Sequence, residues 1–430
     1  MKLLRWISPA NAKDKWLYVS LVVICEPMIY LLFNNYMSYF TLSVILGCVI
    51  FGIFAYDFLT ALIYKKKIEL TKSYSFWFLV AFIIWLFIGS FFSINKVVTW
   101  SGVFNGKHVK ESFWQYFCYF LFFCAARQTQ KANRYWLTSV IVWLMCLYIL
   151  LGFVDMYAFP VPGFICNGNK YSLIFYQQNH SGYLASITTI LAFYKLCTNQ
   201  TKKDRIPFVF AFVLHCLFLC CNGSLGPILA VIAAITICCI INLSKKNYQI
   251  SKRVFAAIFA FVAVFAFLDF VPKVKEIKGD KYPLYAKITG VFCEAVGIEY
   301  KFKDGERVSG SDGYERIPMW KNCLKTITER PLFGTGISTF QDKNPEFIYA
   351  NPHNEFLEYA SCCGIPALLL YLAFAFSLLS GLFRKKNRQL HFYNGCAYAI
   401  ISYLISSFFG CTMGCVMPQL FLVYGMADVE

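Results

Sequence analysis

The sequence predicts an all-α fold, a polytopic membrane protein of about twelve transmembrane helices with one large, partly helical extracytoplasmic loop. The composition is 58% hydrophobic and 19% aromatic with a mean hydropathy of +0.55, far beyond what fills the core of a soluble domain. Apolar runs of roughly 18 to 25 residues recur along the chain, each long enough to cross a bilayer as a helix. Lysine and arginine fall in every second connection between those runs, the pattern of a multi-pass protein.

Spans are expected near 16–35, 38–63, 75–95, 113–127, 136–156, 182–198, 206–222, 226–243, 253–271, 364–383, 391–410 and 412–427, the fourth and twelfth being the shortest. A net charge of +17 would suit a nucleic-acid binder if it formed one patch, so its distribution decides the matter. Basic residues cluster at Lys2, Arg5, Lys13 and Lys15; at Lys65, Lys66, Lys67 and Lys72; and at Arg127, Lys131 and Arg134. Further clusters are Lys202, Lys203 and Arg205; Lys245, Lys246, Lys252 and Arg253; and Arg384, Lys385 and Arg388, while the connections near 36, 224 and 411 carry almost none. The basicity is therefore topological and no nucleic-acid partner is expected. The positive-inside rule places both termini in the cytoplasm and supports both short spans, since dropping either would invert the pattern. No short apolar leader with a cleavage site is visible, so the first span is expected to stay as an anchor.

Three parts follow: residues 1–271 with helices one to nine, residues 272–355 as the extracytoplasmic loop, and residues 356–430 with helices ten to twelve. The loop holds Phe302, Tyr314, Trp320, Leu324, Ile327 and Phe333, enough apolar surface to order it. Residues 317–330 read as an amphipathic helix stopped by Pro331, followed by a turn through Pro331-Leu332-Phe333-Gly334-Thr335-Gly336. Two smaller outward connections, 157–181 and 221–227, are polar and positioned to border a cavity.

Most of the nineteen cysteines lie within spans, where a free thiol packs as a small hydrophobe, and Cys166, Cys293 and Cys323 outside them show no paired spacing. No metal and no cofactor are expected. The nearest approach to a carboxylate constellation, Asp304-Gly305-Glu306, reads as a turn. Glu26 and Asp57 lie within spans, where a charge is costly, and Asp155 and Asp269 near outer span ends are candidates to orient an acceptor sugar.

Between 310 and 372 the chain carries Arg316 and Trp320, then Glu329-Arg330-Pro331-Leu332-Phe333-Gly334-Thr335-Gly336-Ile337-Ser338-Thr339-Phe340, then Pro352-His353-Asn354-Glu355-Phe356-Leu357-Glu358-Tyr359 and Gly364-Ile365-Pro366-Ala367. This ordered set resembles the O-antigen ligase and O-antigen polymerase family of bacterial membrane glycosyltransferases. The resemblance implies a plasma-membrane enzyme that takes a glycan from an undecaprenyl-pyrophosphate carrier on the outer face, with a glycan or lipid acceptor and the membrane lipid as its other partners. A transporter or flippase of the same lipid-linked material is the alternative. Ligase and polymerase share the motif.

Such a transfer needs a group to take the proton of the attacking hydroxyl and cations to neutralise the leaving pyrophosphate. His353, the only histidine of the loop, stands where the chain re-enters the membrane and is the candidate base; the competing role is a cap at a helix start. Arg316 is the candidate pyrophosphate ligand, since a guanidinium matches phosphate oxygens and keeps its charge; the competing role is an ion pair with Glu315 or Asp312. Arg330 is a second candidate for pyrophosphate, equally accounted for by the dipole at a helix end. Asn354 and Asn179, the latter in Gln178-Asn179-His180-Ser181, are candidates for binding the substrate, and Asn179 also fits a helix cap. The sequence departs from the family pattern at Asn222-Gly223-Ser224-Leu225-Gly226, where leucine stands in place of a second arginine. Lys170, Lys321, Lys325 and Arg307 are the cations available to replace it.

Overall fold

The computed structural model describes residues 12–33, 38–64, 71–105, 108–161, 172–175, 178–199, 201–246, 313–347, 350–383, 391–410 and 414–428, with isolated positions between 252 and 301. The expected ninth span at 253–271 therefore lies largely outside the described residues, as do the loop from 302 to 312, Lys170, Arg307 and Asp269.

Helices α1 (Ala12–Ile24) and α2 (Glu26–Phe33) replace the single expected first span; they are bent by 54°. Pro27 explains the break, because it brings no N–H to bond back one turn and its ring clashes with the preceding carbonyl. The next helices are α3 (Tyr39–Ile63), α4 (Tyr74–Ser90) and the short α5 (Lys96–Ser101). Strands β1 (Val103–Asn105) and β2 (His108–Lys110) pair antiparallel, a ribbon absent from the expected all-helical plan.

Helix α6 (Phe113–Gln128) opens with a capping box in which the Ser112 side chain and Gln115 exchange bonds with each other's backbone, so the run expected as the short fourth span is a well-started helix. Then come α7 (Lys131–Tyr157), α8 (Gln178–Thr198), α9 (Lys202–Asn222) and α10 (Leu225–Ser244). After the expected loop lie α11 (Gly313–Glu329), α12 (Phe340–Lys343) and α13 (Glu355–Glu358), the last continuing as a π-helical turn over Tyr359–Cys363. The chain finishes with α14 (Ile365–Leu379), α15 (His391–Ser407) and α16 (Met417–Ala427).

Four helices are long and apolar enough to cross a membrane, near 40–63, 133–157, 202–222 and 225–244, and the bent α1–α2 pair makes a fifth. Helices α4, α14 and α16 are apolar but shorter; the eleven residues of α16 rise only about 16 Å. Burial is concentrated in α6, α8, α15 and α16, which form the centre of the bundle, with α6 packed on α3 and α16, and α8 on α9 and α15.

Polar contacts between connections sort into two ends. At one, Thr71, Ser73, Arg127, Arg134 and Asp428 meet. At the other, Ile94 N donates to Thr335 O at 2.8 Å and Ser224 Oγ to Asn179 Oδ1 at 2.9 Å, while Cys415 Sγ lies 3.3 Å from His180 Nδ1. Alternate connections thus contact one another within each of the two groups.

Candidate active site

The turn after α11 is the foundation of the site. Thr335 N donates to Ser361 O (3.1 Å), Gly336 N to Cys362 O (2.7 Å) and Ile365 N to Pro331 O (2.8 Å), so the loop helix is tied to the start of α14. Glycine is needed at two places here. A Cβ on Gly364 (φ +91°) would stand 1.8 Å from Leu332 O, and one on Gly336 (φ +115°) would stand 2.0 Å from Ser93 Oγ. Phe333 stacks on Trp85 and Phe92 with ring centroids 5.0 and 4.4 Å apart, anchoring the turn on the bundle. The Pro-Leu-Phe-Gly stretch is therefore a hinge point that fixes α11 over the membrane helices.

Helix α11 begins at Gly313, earlier than expected, because Pro318 near its start costs one backbone bond without ending it; it closes at Glu329 as anticipated. Trp320 Nε1 donates to Pro352 O at 3.0 Å, which brings this helix against the segment that carries His353. Arg316 lies one turn before Trp320 on the same face, about 6 Å along the axis. Its Nε is buried and makes no hydrogen bond. A buried guanidinium nitrogen left without an acceptor is costly unless a ligand completes it.

His353 adopts φ +51°, a left-handed conformation uncommon outside glycine, and its N–H donates to Asn351 Oδ1 at 3.3 Å. This bend delivers the chain into α13. Asn354, almost fully buried, caps that helix: its Oδ1 accepts from Leu357 N at 3.0 Å. The cap role proposed as the competitor for His353 thus falls to its neighbour, and one side-chain oxygen of Asn354 is already engaged.

Asn179 does not cap α8. It joins the two outward connections through Ser224, while Asn222 Nδ2 donates to Gln178 O (2.8 Å) and Ser181 Oγ (3.1 Å). Leu225 begins α10 beside this clasp, so the position where the family pattern has arginine does lie with Asn179. Arg330 is elsewhere. It is exposed at the far end of α11, about 21 Å along the helix from Arg316, too far for both to hold one pyrophosphate. Lys321 and Lys325 are exposed on the outer surface of α11.

Three residues given no role by the sequence line the inner side of the site. His180 is half-buried, with its basicity lowered to about 4 by the surrounding desolvation, and the charge of His353 adds to the effect. Glu355 is wholly buried, accepts from Tyr403 Oη at 2.8 Å and is raised to about 7 by burial. Glu111, 4% exposed, accepts from Tyr119 Oη at 2.9 Å and is likewise raised to about 7, first by burial, with Glu355 adding to it. Proximity to His353 in sequence was the signal for Glu355; nothing local signals Glu111. Among the described residues no three His, Cys, Asp or Glu side chains group as a metal site.

The molecule is a helical membrane protein with a polar site at one end of its bundle, covered by its loop helix. Residues 210–372, from α9 through the loop to α14, match the family model for O-antigen ligase. The matched residues include those that carry the motif resemblance. No curated protein matches the chain.

Proposed function

We propose that the protein transfers or polymerises glycan from an undecaprenyl-pyrophosphate carrier at the outer face of a bacterial plasma membrane, without a metal, and that residues 272–355 form its extracytoplasmic active-site loop. The full plan is twelve spans with both termini cytoplasmic; the sorting of contacts into two ends supports it. The observation that carries the reading is the buried, unsatisfied Nε of Arg316 one helical turn from the contact between Trp320 and the His353 segment. A guanidinium held so, beside a histidine at the membrane re-entry, suits a pyrophosphate leaving group next to a base.

His353 accepts the proton of the acceptor hydroxyl as its oxygen forms the new bond to the anomeric carbon. The bond from that carbon to the pyrophosphate oxygen breaks, and its electron pair leaves with the pyrophosphate against Arg316. Asn179 and the free amide of Asn354 face sugar or carrier. Arg330 has no part in this arrangement.

The test is to reconstitute the protein in lipid with a defined undecaprenyl-pyrophosphate oligosaccharide. Longer lipid-linked chains identify a polymerase, and glycan moved to an added acceptor identifies a ligase. Passage of unchanged glycan across the bilayer, undiminished by His353→Ala, would replace the enzyme with a transporter.

A further inference from the structure

The four residues of α12 and the few that follow join the loop helix to a connection far away in the chain. Asp342 Oδ1 accepts from Asn95 Nδ2 at 3.0 Å, and Oδ2 from Lys110 Nζ, at the end of β2, at 2.8 Å. Asn95 caps α5 with its own Oδ1, which accepts from Val98 N at 3.2 Å, and so its Nδ2 is left for Asp342. Lys343, the next residue, pairs instead with Glu329 Oε2 at the end of α11, at 2.9 Å. Glu346 Oε1 accepts from Asn322 Nδ2 in the middle of α11 at 2.8 Å, and Phe347 stacks back on Phe340 with centroids 6.1 Å apart. Residues 340–347 are thus a bracket with one arm on the α4–α6 connection and two on the helix that carries Arg316. The same connection grips the turn just before the bracket: Ile94 N and Ser93 Oγ donate to Thr335 O at 2.8 and 3.2 Å, and Thr99 Oγ1 to Ile337 O at 3.4 Å. Trp320 holds α11 from another side, bonded to Pro352 O and edge-on to the Phe408 ring at 5.8 Å.

We propose that Asp342 is a positioning residue: by taking Asn95 and Lys110 on its two carboxylate oxygens it fixes the bracket, and through the bracket it holds α11 so that Arg316 meets the leaving pyrophosphate. This rests on Arg316 being the pyrophosphate ligand. A carboxylate gripped at both oxygens by groups from two elements is fixed in direction as well as in distance, which one bond alone does not achieve. Asp342 is exposed, and an ion pair at such a place adds little to stability. Its worth lies in geometry, since a displacement of about 1 Å in a reacting arrangement can cost about 10²-fold in rate. Asn95 and Lys110 lie outside residues 210–372, so the ribbon and the start of α5 hold the loop from beyond the matched part of the chain.

The test uses the full-length protein in lipid and compares Asp342→Ala, Arg316→Ala, the two together, and the exchanged pair Lys110→Asp with Asp342→Lys. Glycan transfer is read as kcat and donor KM, and the bracket is read by amide hydrogen exchange of residues 335–343. In Asp342→Ala the exchange of that segment should quicken by about tenfold while the thermal midpoint stays close to wild type. Transfer should fall by about tenfold, divided between donor KM and kcat in the manner of Arg316→Ala. On the Arg316→Ala background the same change should cost less than about twofold more, because the group it positions is already gone. The exchanged pair should bring transfer and hydrogen exchange back to within about threefold of wild type. A loss of undiminished size on the Arg316→Ala background, an exchanged pair as impaired as Asp342→Ala, or wild-type transfer in Asp342→Ala overturns the positioning role. Hydrogen exchange needs no glycan donor, so a chain that fails as a glycosyltransferase still reports on the bracket: quickened exchange in Asp342→Ala supports it and unchanged exchange overturns it.

Discussion

The two ends of the bundle both bury charge, and they treat it differently. At the end built by Asp428, both carboxylate oxygens are used. Ser73 and Ser75 donate to Asp428 Oδ1 at 2.6 and 2.5 Å, and Arg127 pairs with Oδ2 and also bonds Thr71. Arg134 donates to Thr129 O at 2.8 Å and Asp428 O at 2.9 Å. At the end built by His353, buried polar atoms remain unspent: Arg316 Nε, Glu355 Oε1, Gln115 Nε2 and Tyr359 Oη. Closed networks lock α4, α6, α7 and the chain's end together; open ones are what a ligand completes. Unspent buried atoms also occur at Glu26, His215 and Tyr148 within the bundle, so the contrast lies in their concentration around one loop.

The sharpest way to break this comparison is His353→Ala. Loss of a positioned base should reduce the transfer rate by about 10²–10⁴-fold while leaving donor binding and thermal midpoint close to wild type, measured by turnover and by thermal unfolding. Next is Arg316→Ala, expected to cost roughly 10²-fold with the loss shared between donor affinity and rate, and Arg316→Lys should recover only part, since an ammonium lacks the fork. At the opposite end, Asp428→Ala should lower stability by about 3–5 kcal/mol, because it strands Arg127 and leaves the Ser73 and Ser75 hydroxyls without their acceptor, yet leave turnover per folded molecule unchanged.

A smaller effect is a pH-dependent stability difference. Glu111 and Glu355 have folded values above the unfolded carboxyl value of 4.5, so the folded state binds more protons between about 4.5 and 7. The stability they contribute is fully present below 4.5 and is lost as pH rises through 7. Relative to wild type, the thermal midpoint of a variant carrying both Glu111→Gln and Glu355→Gln should therefore climb across that window and then level off; His180 acts oppositely but cancels in the comparison. A flat difference would deny the shifts. The smallest effect expected is from Arg330→Ala, with transfer within about twofold of wild type, consistent with its exposed place at the far end of α11.

What the sequence made legible was local. Hydropathy marked the helices, charge alternation separated the connections into two sets, and the motif named Arg316, Trp320 and His353, of which Trp320 reaches the His353 segment. The distance that removes Arg330 was also readable, being only helix rise times residue count. The break at α1–α2 was missed because a long apolar run outweighed Pro27 in the reading. The clasp of Asn179 with Ser224 and the gathering of four segments on Asp428 were not readable, since each joins residues far apart in the chain and no local pattern encodes which distant helix they meet.

The central claim is that the His353 end is the chemical end and the Asp428 end is scaffold. Its most direct measurement is the transfer rate per folded molecule, in lipid with an undecaprenyl-pyrophosphate oligosaccharide, for His353→Ala beside Asp428→Ala. The account predicts a loss of at least 10²-fold in the first and a wild-type rate in the second. A wild-type rate in His353→Ala, or an equal loss in both, would contradict it.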